Sequence, residues 1–380
     1  MNFSDVNIFD PIFCEKRYEV YSGIERKQSI YYSDYSGCWI VQDFEIAEAV
    51  LGNGDLFSSK PYQQADSVLL GADNPEHALN RKAIENYYSK HVYWRVPQLQ
   101  STSEKVCNRL VARLAGRSSF DVVKELVIPY TVTLGFYLSG LDSIGAKWNV
   151  LDCNEDDLTQ VIQGCNDLYF RWELIDSHLN DFLKSDAAPS FLGEFDNLAK
   201  NLDFLDHQQW FGFLKTMLIA SSETPSALTG AAFSLLVTES DVMKRIVHDS
   251  SIIRQFLYEV LRYNSPAQLT LRTVIKDTVM EGQNLSAGDL VAVMIGFIHR
   301  DSEKFVNPND FDLDRHRKPL LAFGGGPHEC IGKHVAMSLA ESAVAAAVGL
   351  LSDKQISSLK YNTSPQVFAI AIMMLSKKHA

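Results

Sequence analysis

The sequence predicts a mainly α-helical chain with a small β region near each end. Three observations carry that reading. Helical apolar periodicity dominates from Asn74 to about Leu198, and two long apolar helix patterns follow at 206–240 and 331–351. Strand-like runs are short and lie within 16–56, 268–299 and 367–375.

Taken in order, residues 16–56 alternate around Tyr31 and Cys38-Trp39-Ile40-Val41, then turn helical at Asp43–Leu51. Asn74-Pro75-Glu76 reads as a helix start, with an Asn cap, Pro in the first turn and an acid near the positive end. Asp206 caps the helix over 206–240, and 251–263 forms another, stopped before Ser265-Pro266. Leu269–Ile275 and Leu290–Phe297 read as strands, with turns at Gly282 and Gly288. Asp301–Leu321 is polar and shows no period, and a loop of about twenty residues in a compact domain is usually functional. Val367–Leu375 closes the chain as a strand. No repeat or linker divides it, so residues 1–380 read as one domain.

The 380 residues carry 35 Lys+Arg against 47 Asp+Glu, a formal charge of −12, with 46% hydrophobic and 22% charged residues. This is globular composition, and the acidic balance argues against a nucleic-acid binder. The six cysteines form no C-x-x-C pair and no regular spacing, so neither a zinc knuckle nor a disulfide framework is signalled. The N-terminus has no secretory pattern, and no uninterrupted apolar run approaches the ~18–20 residues of a membrane helix. The expectation is a cytoplasmic protein.

Four constellations carry chemistry. In Phe323-Gly324-Gly325-Gly326-Pro327-His328-Glu329-Cys330-Ile331-Gly332, a cysteine sits in a glycine-rich loop ahead of a long helix. Unpaired amides and partial positive charge at a helix N-terminus favour thiolate, and backbone N–H groups can approach its sulfur. A phosphate-cradling loop or a structural turn around an inert cysteine are the alternatives. A phosphate loop wants Lys or Ser/Thr after its glycines, where Pro-His-Glu-Cys stands here. Second, Glu259 and Arg262 form an i, i+3 pair, either a solvated helix-face pair or a built ion pair. Third, Ser221-Ser222-Glu223-Thr224-Pro225 interrupts the long apolar helix. Met217, Ser221, Thr224 and Leu228 share one face, and Pro225 removes a backbone donor. The cluster is either a kinked polar groove or the junction of two helices. Fourth, His77 and Arg81 stand one turn apart on one helix face, Arg272 lies on a strand, and His328 precedes Cys330 by two residues.

The decapeptide resembles the haem-binding loop of the cytochrome P-450 family, F-G-x-G-x-H-x-C-x-G, at all six specified positions. The resemblance runs from His77 to Gly332 in the family's order. It implies a P-450 fold, mainly α with a small β region, in one haem domain. It implies haem b with Cys330 as the thiolate ligand to iron, Phe323 and Gly324 in its loop, and His77, Arg81, Arg272 and His328 on the propionates. Glu259 and Arg262 are similar to the family's Glu-x-x-Arg pair, with Arg315 as candidate third member. Glu223 and Thr224 match the acid–alcohol pair of the oxygen-activating groove. Ser221 and Pro225 depart from it, where Gly and a second hydroxyl residue are usual.

The implied activity is an O2-using monooxygenase acting on a small or medium organic substrate, free or tethered to a carrier protein, in secondary metabolism. Electrons would come from a ferredoxin and its reductase. Arg315, His316, Arg317, Lys318, Lys333 and His334 would form the docking patch. Substrate contacts are expected from the 58–72 loop with Leu69 and Leu70, from Met217 and Ala220, and from Ala267 and Leu269, with Gln268 as a polar handle. Two alternatives stand beside this: an atypical haem-thiolate enzyme of oxidative cyclisation, coupling or rearrangement, and a haem-based sensor or ligand-binding protein.

Overall fold

In the computed structural model, which describes residues 2–87, 96–139, 141, 146–185 and 206–378, helices pack on one another while a five-stranded sheet stands beside them. The sheet runs β1 (Ile30–Ser33), β2 (Cys38–Val41), β8 (Leu290–Val293), β5 (Thr270–Val274), β3 (Phe57–Ser58). β2 and β8 are parallel and the other neighbours antiparallel. β4 (Ser119–Asp121), β10 (Ile370–Lys377) and β9 (Lys354–Tyr361) form a second sheet, and β6 (Thr278–Met280) pairs with β7 (Gln283–Leu285).

The continuous apolar runs of β2 and β8 follow from burial on both faces. Side chains alternate across a strand, so Trp39, Val41, Val291 and Val293 enter one core. Cys38, Ile40 and Ala292 enter another, with Phe3, Phe13 and Phe297. The largest core is helical and is crossed by the central helix, His207–Thr238. Its start is a capping box. Asp206 accepts from the Gln209 N–H at 2.8 Å, and the Gln209 side chain accepts from the Asp206 N–H at 2.9 Å. The helix runs unbroken through Pro225, which excludes a two-helix junction there. It packs on Ile128–Ser139, Lys333–Leu351 and Ile253–Tyr263.

Several boundaries differ from expectation. The strand from Leu290 stops at Val293, because Ile295–Ile298 closes into a helical turn whose Ile298 N–H reaches the Met294 carbonyl at 2.9 Å. The 76–87 helix takes its first bond from His77 N–H to the Asp73 carbonyl, so Asp73 stands where Asn74 was expected as cap. β9 was not anticipated, because its partly exposed face breaks the apolar signal. Lys333–Leu351 is long and apolar enough to span a membrane by length and composition. Half of it is buried, however, and it packs against Val96–Leu114 and the central helix.

Candidate active site

Cys330 lies between a 3-10 turn, Gly326–His328, and the helix that begins at Lys333. Its N–H donates to the Phe323 carbonyl at 2.8 Å, which folds the loop back on itself. Gly326 has φ +64, and a Cβ there would lie 2.2 Å from the Leu51 carbonyl oxygen. Only glycine lets the loop pass that close to the Phe44–Gly52 helix.

The Cys330 side chain is exposed, yet burial pushes its thiol up, opposed by the Gly332 N–H and by Arg81 and Lys333. The sulfur thus sits in a recess, crowded by protein atoms yet open on one side. The expected lowering of the thiol by the helix N-terminus is therefore outweighed by desolvation. The helix starts three residues beyond the sulfur, where its field has weakened.

The four cationic candidates converge. His77 and His328 lie against each other with ring centroids 3.9 Å apart and planes tilted by 32°. Burial, then the charges of His77, Arg272 and Arg81, depress His328 to about 3, and burial followed by Arg81 lowers His77. Arg272 is 5% exposed, and its Nη1 donates to Thr270 Oγ1 at 3.1 Å and the Leu271 carbonyl at 2.7 Å. Arg81 Nη1 spans the carbonyls of Pro327 and Glu329 at 2.9 and 2.6 Å, tying the 76–87 helix to the cysteine loop. The acids nearest this cluster already have partners. Asp73 accepts from Ser58 and from the Ser59 N–H, and Glu85 pairs with Arg81. His77 Nε2 is buried without a partner. Two guanidinium groups and two imidazoles, one with an orphaned buried nitrogen, fit the two carboxylates of a haem, and the recessed sulfur fits its iron.

On the other side of the cysteine loop, the Glu259–Arg262 pair is buried, with the bidentate geometry of a built ion pair rather than a solvated one. Arg262 donates to both Glu259 oxygens at 2.9 and 2.8 Å, and Arg315 Nε reaches Glu259 Oε1 at 3.0 Å. The remaining Arg262 donors hold the carbonyls of His299, Pro308 and Asp310 at 3.0, 2.6 and 2.8 Å. The aperiodic 301–321 loop is thus stapled by guanidinium groups. Beside it, a groove is lined by Tyr258, Arg315, His316, Arg317 and Lys318, with Arg317 over the Tyr258 ring at 4.2 Å.

On the central helix, Ala220 is exposed although it sits mid-helix. Thr224 Oγ1 donates to the Ala220 carbonyl at 3.1 Å, and Ser221 Oγ donates to the Leu218 carbonyl at 3.1 Å. Burial raises the Glu223 carboxyl. The neighbouring Tyr169 hydroxyl, raised by burial and by Glu223, is hydrogen-bonded to Ser226.

Among the expected substrate contacts, Leu69 and Met217 are half-buried against the helical core, and Ala267 pairs with Val367. Two expectations fail. Leu269 is 4% exposed and points into the core with Phe3 and Phe297, because strand alternation turns it away. Gln268 is no free polar handle. Its amide is held by Tyr21, Tyr18 and the Ser265 carbonyl at 3.2, 2.9 and 2.6 Å. Sequence reasoning missed Tyr169 and Tyr62, which no local pattern marks. Tyr62 Oη lies 3.1 Å from Thr270 Oγ1 and accepts from the Leu271 N–H at 2.9 Å.

A family profile described as Cytochrome P450 matches residues 251–348. The chain is 25% identical over 378 residues to "Cytochrome P450 109" of Bacillus spizizenii, covering 94% of this chain and 90% of that protein. It is 26% identical over 324 residues to "Cytochrome P450 monooxygenase PikC" of Streptomyces venezuelae, covering 81% and 76%. Among solved structures, the hydroxylase HmtN involved in himastatin biosynthesis matches with a TM-score of 0.79 at 22% identity, covering 95% and 97%. CYP109E1 from Bacillus megaterium in complex with corticosterone matches at 0.74 and 22% identity, covering 97% and 99%. Likeness covers both the cysteine loop and nearly the whole backbone: the chain is similar to the cytochrome P450 family of haem-thiolate oxidoreductases.

Proposed function

We propose that the protein is a monooxygenase that hydroxylates a small or medium organic molecule in bacterial secondary metabolism. The observation that carries this is the recessed Cys330 sulfur beside the His77–Arg81–Arg272–His328 cluster. The names of PikC and HmtN support the metabolic setting. When bound, the haem supplies oxygen activation and the oxidising power.

The chain's own residues do the rest. Cys330 holds the iron, with the Gly332 N–H tempering its donor strength. His77, Arg81, Arg272 and His328 bind the propionates, and the orphaned His77 nitrogen finds its partner there. Arg81 then serves twice, since it also fixes the loop that presents the thiolate. Glu259, Arg262 and Arg315 hold the following segment rigid behind that loop. Thr224 presents a hydroxyl to the site and Glu223, kept neutral more easily by burial, holds a proton behind it. Exposed His316, Arg317, Lys318 and His334 give an acidic ferredoxin a docking face on an otherwise acidic protein. A carrier-tethered substrate and a cytoplasmic setting belong to the same reading.

A second reading, oxidative cyclisation or coupling, is favoured by one observation. The hydroxyls of Ser221 and Thr224 are both turned onto backbone carbonyls, Leu218 and Gly135 for Ser221 and Ala220 for Thr224, and Pro225 has replaced a third donor.

The test is the carbon-monoxide difference spectrum of the reduced protein. A thiolate-type band near 450 nm that is lost in Cys330→Ser is expected, and a protein without bound haem overturns the proposal. Substrates are then screened by the spin-state shift of the ferric haem.

A further inference from the structure

Away from the cysteine loop, a lysine rests on a rigid platform with a base beside it. Lys147 lies in the Ala146–Trp148 turn and is exposed, whereas its neighbour Trp148 is buried. The Trp148 ring stacks on Phe136, with centroids 5.0 Å apart and planes 7° off parallel. The Trp148 carbonyl accepts from Thr133 Oγ1 at 3.1 Å and from Cys165 Sγ at 3.2 Å. The turn is thereby tied to both Ile128–Ser139 and Leu158–Phe170.

Lys147 lies over this ring, with Nζ 4.2 Å from its centroid. The same Nζ donates to His178 Nε2 at 2.7 Å. His178 comes from another element, the Asp176–Leu183 helix, and its ring meets the Trp148 ring edge-on at 5.5 Å. His178 Nδ1 faces the Leu174 carbonyl at 3.3 Å, which can only accept. Nδ1 therefore carries the ring proton, and Nε2 keeps its lone pair for the amine.

Among the described residues no carboxylate pairs with Lys147, whereas exposed Lys27 and Lys244 hold Glu25 and Asp241. Burial lowers the Lys147 amine, with no acid among the causes. The Trp148 face draws the ammonium, but it also packs the side-chain stem, so the amine keeps its place when neutral. A fixed amine with a base in reach has the makings of a nucleophile.

We propose that Lys147 is a modification site that takes an activated acyl group, with His178 as its general base. The amine attacks the acyl carbonyl carbon and a C–N bond forms. The C–O bond of an acyl phosphate, or the C–S bond of an acyl thioester, breaks with its electron pair leaving on phosphate or thiolate. His178 Nε2 takes the proton that the nitrogen sheds and passes it to that leaving group. The resulting amide has no charge to place over Trp148, so the link from the turn to the Asp176–Leu183 helix slackens.

Haem-loaded protein is incubated with acetyl phosphate and, separately, with acetyl-coenzyme A, and acetylation of each lysine is timed by peptide mass spectrometry. Lys147 reacts about tenfold faster than exposed Lys276, less than the ~100-fold of an enclosed general base because water competes here. The faster donor names the source of the acyl group. His178→Ala and His178→Gln both bring Lys147 to within about twofold of Lys276, since glutamine can hold the amine but cannot take its proton. In the acetylated protein, exchange of the 176–183 amides rises about threefold, and Lys147→Arg treated alike shows no rise. A Lys147 rate within about twofold of Lys276 with both donors overturns the site. A preference that survives in His178→Gln overturns the base, and unchanged exchange after acetylation overturns the slackening.

Discussion

Behind the cysteine loop, Arg262 spends its donors on one carboxylate and three carbonyls, and Arg315 adds a second guanidinium to the same acid. Across the site, on the central helix, Ser221 and Thr224 donate only to backbone carbonyls, and the Glu223 carboxyl is raised by burial with no cation among the causes. The first region is a polar network whose members need one another. The second is a set of single groups, each replaceable without collapse. Ion pairs in the interior are costly to break but invariant in geometry, whereas lone polar groups can be retuned. A chain that varies its chemistry while keeping its scaffold would place the variation where Ser221 and Pro225 stand.

The difference can be tested hardest at Glu259. Glu259→Ala leaves Arg262, 1% exposed, without its counter-charge, and a loss of about 3–5 kcal/mol is expected. Chemical denaturation of the haem-loaded protein measures it, and a loss under 1 kcal/mol would mean that the carbonyls suffice.

His299 tests the same network through pH. Its ring is fully buried, with Nε2 accepting from Leu321 N–H at 2.9 Å, and burial followed by Arg262 and Arg300 depresses it to about 3. Its unfolded value lies near 6.5, so below that pH the unfolded chain binds a proton that the folded chain refuses. Stability therefore falls as pH drops from 6.5 toward 3, by about 2 kcal/mol at pH 5 from this group. The acid slope should flatten in His299→Gln; identical slopes would remove His299 from the account.

Thr224→Ala addresses the other region. Stability should change by under ~1 kcal/mol, since only a bond within the helix is lost. The ratio of hydrogen peroxide formed to product should rise by about tenfold if the hydroxyl delivers protons. Unaltered coupling favours the cyclisation or coupling reading. The smallest effect is expected at the surface. Arg317→Ala should slow reduction by a ferredoxin about threefold at low salt and not at high salt, as screened charges do. Stopped-flow reduction across ionic strengths reads it.

How much of this was legible in sequence follows the same division. The cysteine loop was readable because its residues lie together in one short segment, whereas the Glu259–Arg262 spacing left a solvated pair and a built one open and only resemblance favoured the built one. Arg315 is 56 residues from Glu259, and resemblance rather than local pattern suggested it. Leu269 and Gln268 were misread because one residue of strand register decides which face a side chain takes. Tyr62, Asp66 and Tyr169 gave no signal, since their partners are backbone groups or residues distant in the chain.

The contact of Gly326 with the Leu51 carbonyl has a bearing on how such chains recombine. A chimera that imports the cysteine segment from a relative while retaining the host's residues 44–52 joins two surfaces shaped separately to within a hydrogen atom's width. Crossover points that move both segments together should yield foldable hybrids far more often than points that separate them.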